Sequence, residues 1–134
     1  MNIGQNFDSD TVNKMREMFN DNSLTFAHKL VESTVQIDAI IGYITTSVQV
    51  VESLRQTVTG QRQERDQLIH LLSFELVHDR RNFFKQKIQK LDEDIATNQG
   101  YLHDLTEKGT TMAGTLAKTM ELQVEYMRTA DFNC

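Results

Sequence analysis

The chain is 134 residues long and has a formal net charge of −5, with 39% hydrophobic and 25% charged residues, no proline and no tryptophan. This length suits one domain with a substantial core, and the mild acidic balance argues against a dedicated nucleic-acid binder, which normally carries a basic excess. The single cysteine, Cys134, excludes an intrachain disulfide, and the polar stretch 1–7 lacks the basic-then-apolar order of a secretory leader. We therefore expect a cytoplasmic protein in a reducing compartment.

The first predicted element is a short amphipathic helix that follows a disordered start at residues 1–8. Polar residues at 8–10 can cap this helix. Its apolar face consists of Val12, Met15, Met18 and Phe19. The polar run 20–23 then breaks the helix, and Ser23 can cap the next one. Residues 1–22 are therefore predicted to precede the main domain.

Apolar residues then recur every three or four positions, which is the heptad pattern of helices that bury a seam against other helices. The predicted interaction seam consists of Leu30, Ile37, Ile41, Ile44, Val48, Val51, Ile88, Leu91, Ile95, Leu102 and Leu105. Many of these residues are β-branched, but a repeat of this period cannot keep one face of a strand buried. Isoleucine at successive seam positions favours three or more helices around one axis, from one chain or from several.

Two glycines divide the heptad region in the interpretation that we favour. Gly60 and Gly100 resemble the glycines that end helices, and they would separate three helices at about 24–59, 61–99 and 101–128. Helices of this length joined by tight turns predict an all-α fold, an antiparallel three-helix bundle or coiled coil. The bundle domain would span residues 23–128, followed by a tail at 129–134.

An alternative interpretation keeps the second helix continuous through Gly60 as far as Val77. The heptad spacing of apolar residues continues across Gly60 without a shift. One glycine inside a helix lowers its stability by only about 1 kcal/mol. The hairpin would then fall near 78–82, a stretch without the glycine or proline that usually makes a turn.

Part of the heptad pattern is not well suited to a closed core and could face a partner. Three arginines continue the stripe, and a buried, unpaired arginine costs several kcal/mol, so this section must reach solvent or face carboxylates. The last helix is poorly filled and rich in methionine, a residue that adapts to partner helices. The candidate partner-facing residues are Arg55, Arg62, Arg65, Met112, Leu116 and Met120.

Metal and catalytic chemistry have little support in the pattern. Three pairs have the spacing of metal sites in helical bundles: His28/Glu32, His103/Glu107 and Glu75/His78. The first two pairs point away from the seam, so we predict no metal and no cofactor. The basic run at 80–90 is followed at once by acidic residues, which is typical of a solvated helix face. No phosphate loop, catalytic triad or small-molecule site is evident.

One short segment resembles a known functional box. Residues 77–84, followed by Ile88 and Leu91, are similar to the H-D-x-x-N box of sporulation-type phosphotransferases and related histidine kinases. The resemblance implies that His78 accepts a phosphoryl group, that Asp79 acts as its general acid or base, and that Asn82 is a polar partner one turn on.

We predict a non-catalytic helical interaction module, such as a scaffold, adaptor, chaperone or assembly factor, that binds a protein partner or forms a homo-oligomer through its seam. Histidine phosphotransfer or dimerisation is the alternative. A tether at a nucleic-acid or anionic membrane surface is a further alternative. Membrane insertion is not expected, because the most apolar stretch, 35–51, is shorter than the ~20 apolar residues that a spanning helix needs.

Overall fold

A computed structural model describes residues 7–132, nearly all of which lie in three α-helices: α1 (Ser9–Asn20), α2 (Phe26–Phe74) and α3 (His78–Phe132). The described residues contain no strand. The helices α2 and α3 are antiparallel and pack extensively against each other. The predicted all-α fold class, with long antiparallel helices and a short N-terminal helix, is therefore confirmed. Residues 1–6 and 133–134, including Cys134, lie outside the described residues.

Helix α1 begins with a defined cap. The Asp8 carboxylate accepts a hydrogen bond from the Asp10 backbone N–H at 3.0 Å, which satisfies one of the free donors of the first turn. Phe7, just before the cap, is buried, so the predicted disorder is wrong at residues 7 and 8. Val12 and Met15 form the buried face of α1, as the apolar spacing predicts.

Neither glycine at the predicted helix boundaries ends a helix. Gly60 lies inside α2 and Gly100 lies inside α3, and neither has a positive φ. The predicted division into three helices at 24–59, 61–99 and 101–128 is therefore wrong, and the alternative of a helix continuous through Gly60 is closer. Packing along two long helices outweighs the cost of about 1 kcal/mol for each glycine.

The turn between α2 and α3 is closed by side chains. The Arg81 guanidinium donates to the carbonyl oxygens of Leu72 at 3.1 Å and Glu75 at 2.8 Å, so one carbonyl in the last turn of α2 and the first carbonyl beyond it are satisfied. The Glu75 carboxylate accepts from the Val77 backbone N–H at 3.0 Å, just before α3 begins. These contacts replace the glycine that commonly ends a helix, and the turn falls at 75–77.

The buried seam matches the prediction throughout α3 and at four of six positions in α2, where Leu30, Ile37, Ile44 and Val51 are buried or half-buried. In α2, Ile37 and Ile44 lie on the buried seam as predicted. At the alternate seam positions, the buried residue is the one directly before the predicted residue in the chain. Ile40 is fully buried whereas Ile41 is 43% exposed, and Val48 is 61% exposed although the pattern favoured it. Both Ile41 and Val48 thus lie beside the buried seam.

Every predicted seam residue of α3 is buried or half-buried. These residues are Ile88, Leu91, Ile95, Leu102 and Leu105. Because few flanking positions in this helix are apolar, only one line along it can form the contact with α2.

The described residues form two compact units, and each is considered separately: unit 1 contains 7–48 and 107–132, and unit 2 contains 49–106. The core of unit 1 is built on Phe7, Ile40 and Met112. In unit 2 the buried apolar residues are Val58, Ile95 and Leu105. The remaining seam residues of unit 2 are half-buried, because two helices alone cannot enclose both sides of their contact.

Two polar contacts cross between the helices of unit 2. The Asn98 amide donates to the Gln61 side-chain oxygen at 3.1 Å, and Arg65 Nη1 lies 3.3 Å from Asp92 Oδ1. Polar pairs on a helix seam are satisfied in one register only, so these contacts fix the alignment of α2 and α3 in unit 2.

Candidate functional site

Helix α1 and the residue before its cap cover one side of the α2–α3 pair in unit 1. The Phe7 ring meets the Tyr43 ring edge-on at 5.2 Å, and the Thr115 hydroxyl donates to the Phe7 carbonyl at 2.7 Å. At the other end of α1, Phe19 stacks on Tyr126 with a centroid separation of 4.6 Å. This side of the helix pair is therefore occupied.

Lys29 ties the end of α1 to both long helices. Its Nζ donates to the Phe19 carbonyl at 3.0 Å and lies 5.3 Å from the centre of the Tyr126 ring, and the residue is buried. An ammonium group at a helix C-terminus satisfies a free carbonyl and interacts favourably with the helix dipole, and the aromatic face adds a cation–π contact. Lys29 therefore anchors α1.

A polar layer aligns α2 and α3 in unit 1. The Gln123 side-chain nitrogen donates to the Ser33 hydroxyl at 2.8 Å and to the Thr34 hydroxyl at 3.0 Å. Ser33 is fully buried and donates in turn to the Leu30 carbonyl at 3.1 Å. Sequence reasoning missed this layer, although polar residues at heptad positions of both helices were a signal for it.

The opposite side of the helix pair in unit 1 carries exposed apolar side chains. We call it the open side and define it by Ile41, Val48, Met120 and Met127, all of them exposed. Residues seven apart lie on one line along a helix, so each pair forms a row. Each row consists of residues that directly follow a seam position.

The placement of α1 establishes that the open side faces away from it. Tyr43 and Thr115, which contact Phe7, each directly precede a seam residue, Ile44 and Leu116. Residues before and after a seam position flank the seam on opposite sides of a helix. Within the described part of unit 1, no element covers the open side.

The candidate partner-facing residues of the last helix lie at three different depths. Met112 is buried beside Ile40 in the core, so a partner cannot reach it without opening unit 1. Leu116 is half-buried on the seam, and Met120 is exposed on the open side. Met127 also lies on this side, but the heptad pattern did not single it out as partner-facing.

The three candidate arginines lie in unit 2. Arg55 and Arg62 are exposed, and Arg65 is half-buried at a seam position, where it pairs with Asp92. Arg55 and Arg62 thus reach solvent and Arg65 faces a carboxylate, so none of the three is buried without a partner charge.

His78, the candidate phosphoryl acceptor, is the first residue of α3 and is exposed. Its Nε2 lies 3.2 Å from the Asn82 side-chain nitrogen. The described side chains include no hydrogen bond between Asp79 and His78. The geometry therefore brings together His78 and Asn82 of the box, but not the proposed acid or base.

The described residues offer neither a metal site nor a membrane-spanning helix. Among residues 7–132, no three His, Cys, Asp or Glu side chains converge closely enough to hold a metal ion. No helix in the described part of the chain combines the length and apolar character required to span a bilayer.

No family model, curated protein or solved structure matches the chain. The class of protein is therefore defined by the fold itself, an all-α hairpin of two long helices with a short N-terminal helix.

Proposed function

We propose that the protein is a non-catalytic helical interaction module that self-associates, with the open side of unit 1 packing against the open side of a second copy. The observation that carries this proposal is the pair of exposed apolar rows, Ile41 with Val48 and Met120 with Met127, opposite α1. Several bulky apolar side chains exposed on one side of a small protein are typical of an interaction surface.

A second copy is the occupant that best fits the composition of these rows. A two-fold contact brings the β-branched row of α2 in one copy against the methionine row of α3 in the other. Methionine side chains are flexible and fill the gaps that stiff Ile and Val side chains leave. The resulting contact contains four long helices, which is consistent with the preference of an isoleucine-rich seam for more than two.

Molar mass measured by light scattering tests this proposal. We expect the wild-type protein to have twice the 15.5 kDa mass of the chain, and Val48→Lys to have the mass of one chain. The matched control is Val35→Lys, because Val35 is 58% exposed, close to the 61% of Val48, but lies away from the open side. Circular dichroism confirms that both variants remain helical. A single-chain mass for the wild type, or equal masses for the two variants, contradicts self-association through this side.

Histidine phosphotransfer is a second candidate, favoured by the exposed His78 imidazole beside Asn82. Incubation with a small-molecule phosphodonor should then yield acid-labile phosphate on the wild type and on His28→Gln, but not on His78→Gln. His28 is the control because it is also an exposed helical histidine. Absence of label on the wild type, or label that survives in His78→Gln, excludes this candidate.

A further inference from the structure

The end of the hairpin in unit 2 exposes bulky apolar side chains around its turn. We call residues 67–91 the hairpin tip. Leu76 is 93% exposed and Phe74 is 72% exposed, and Leu71, Val77 and Phe83 are also exposed. Turns in contact with water are normally built from Gly, Pro, Asn, Asp and Ser. An apolar turn that projects into solvent therefore requires a different explanation.

Some of the backbone polar groups of this turn are paired within the tip. The Leu72 and Glu75 carbonyls accept from Arg81, and the Val77 carbonyl accepts from the Arg81 backbone N–H at 3.0 Å. The backbone N–H groups of Glu75 and Val77 donate to the Leu72 carbonyl and the Glu75 carboxylate. Polar backbone groups must be paired internally before a segment can leave water. The groups that are paired in this way lower the cost of moving the turn into a less polar environment.

Positive charge is concentrated at the same place. The hairpin tip has five Lys or Arg residues and two carboxylates, a formal net charge of +3, and three further carboxylates follow directly at 92–94. Lys90 pairs with one of these, Asp94, at 3.2 Å, so the cations nearest the turn are Arg80, Arg81, Lys85 and Lys87. Lys87 Nζ lies 5.3 Å from the centre of the Phe83 ring, so the cations are interspersed with the apolar groups. Lysine and arginine at such positions extend their charged ends toward a polar interface while their stems cover apolar surface.

We propose that the hairpin tip docks on the surface of an anionic lipid bilayer. Phe74, Leu76 and Val77 enter the interfacial layer, and Arg80 and Lys85 contact lipid phosphates. A protein partner would have to provide a pocket that matches several side chains projecting around a turn. A fluid lipid interface accepts such a projecting end without shape complementarity, so the lipid surface is the occupant that we favour. The contact is shallow and does not require a spanning helix.

Tryptophan fluorescence provides a direct test, because the chain contains no tryptophan. Leu76→Trp should show a blue-shifted emission when vesicles of phosphatidylcholine and phosphatidylserine are added, but not with phosphatidylcholine alone. Val35→Trp is the control, since Val35 is an exposed apolar residue of unit 1. Absence of a shift at position 76 overturns the proposal, as does an equal shift at position 35 or with neutral vesicles.

Co-sedimentation with the same anionic vesicles tests the apolar and charged contributions separately. The double variant Leu76→Ser, Val77→Ser should bind about tenfold more weakly, and Lys85→Glu, Lys87→Glu should lose the component of binding that falls as salt rises. The control for the apolar change is the double variant Val31→Ser, Val35→Ser, and the control for the charge change is Lys118→Glu. All three residues are exposed in unit 1. Circular dichroism verifies the helical content of each variant. If the tip variants bind as tightly as the controls, the docking surface is not the tip.

Discussion

Lys29 contributes more to the structure than its charge suggests, because its buried ammonium group meets a carbonyl of α1 and an aromatic ring of α3. Replacing it by methionine preserves the stem but removes both contacts. We expect Lys29→Met to lower the free energy of unfolding by about 1–2 kcal/mol. Urea unfolding followed by circular dichroism measures this loss. The exposed Lys118→Met should change stability by less than about 0.5 kcal/mol, and an equal effect of the two would contradict an anchoring role.

Asp21 gives a prediction about pH. The Ser23 hydroxyl, at 2.6 Å, and the Ser23 backbone N–H, at 2.9 Å, both donate to the Asp21 carboxylate, and these contacts lower the pKa of Asp21 below 3.8. The stabilisation that follows is present above the unfolded pKa and is lost as the pH falls through the lower folded pKa. An NMR titration should show the pKa of Asp21 rising toward 3.8 in Ser23→Ala. An unchanged pKa would show that the hydrogen bond from the Ser23 hydroxyl does not cause the shift.

At the scale of the helices, Gly60 and Gly100 are weak points rather than boundaries. A Cβ atom at either position would meet no atom within 4 Å. Alanine should therefore raise the free energy of unfolding by about 0.5–1 kcal/mol at each site, and the effects should add. Thermal unfolding of Gly60→Ala, Gly100→Ala and the double variant measures this. Destabilisation by either substitution would mean that a helix ends at that glycine.

The helices also show which features the sequence could reveal. The seam of α3 follows from its spacing because its flanking positions are mostly polar. In α2, Ile40 and Ile41 are equally apolar, and the choice between them depends on where α3 and α1 lie. The turn at 75–77 could not be located, because its stabilising groups are the side chains of Glu75 and Arg81 rather than a glycine.

At the scale of the molecule, an apolar residue on the buried seam cannot be told from an exposed one by its type alone. This is why the sequence did not reveal the open side or the hairpin tip. Met120 was named from composition, but the open side becomes visible only once α1 covers the other side of the pair. Leu76 has the same apolar character as a seam residue, and only the position of the turn reveals that it projects into solvent. The fold class thus depends on periodicity. The open side depends on contacts between distant segments, and the hairpin tip depends on the side chains that close the turn.

Self-association has a thermodynamic consequence for the whole molecule. When two copies bind only in the folded state, mass action raises the apparent Tm with protein concentration. We expect this rise for the wild type and for Val35→Lys, and we expect Val48→Lys to lose it. Differential scanning calorimetry over a wide concentration range measures the dependence. A concentration-independent Tm for the wild type would argue against the proposed contact.

The hydrogen bonds also imply an order of folding. Arg81 reaches the Leu72 carbonyl across nine residues, whereas Thr115 reaches the Phe7 carbonyl across 108. Closing a short loop loses less chain entropy than closing a long one. We therefore expect the bend between the two long helices to form early and the segment around Phe7 to join later. During synthesis this segment leaves the ribosome before α2 and α3, and it cannot make its hydrogen bond until Thr115 has followed.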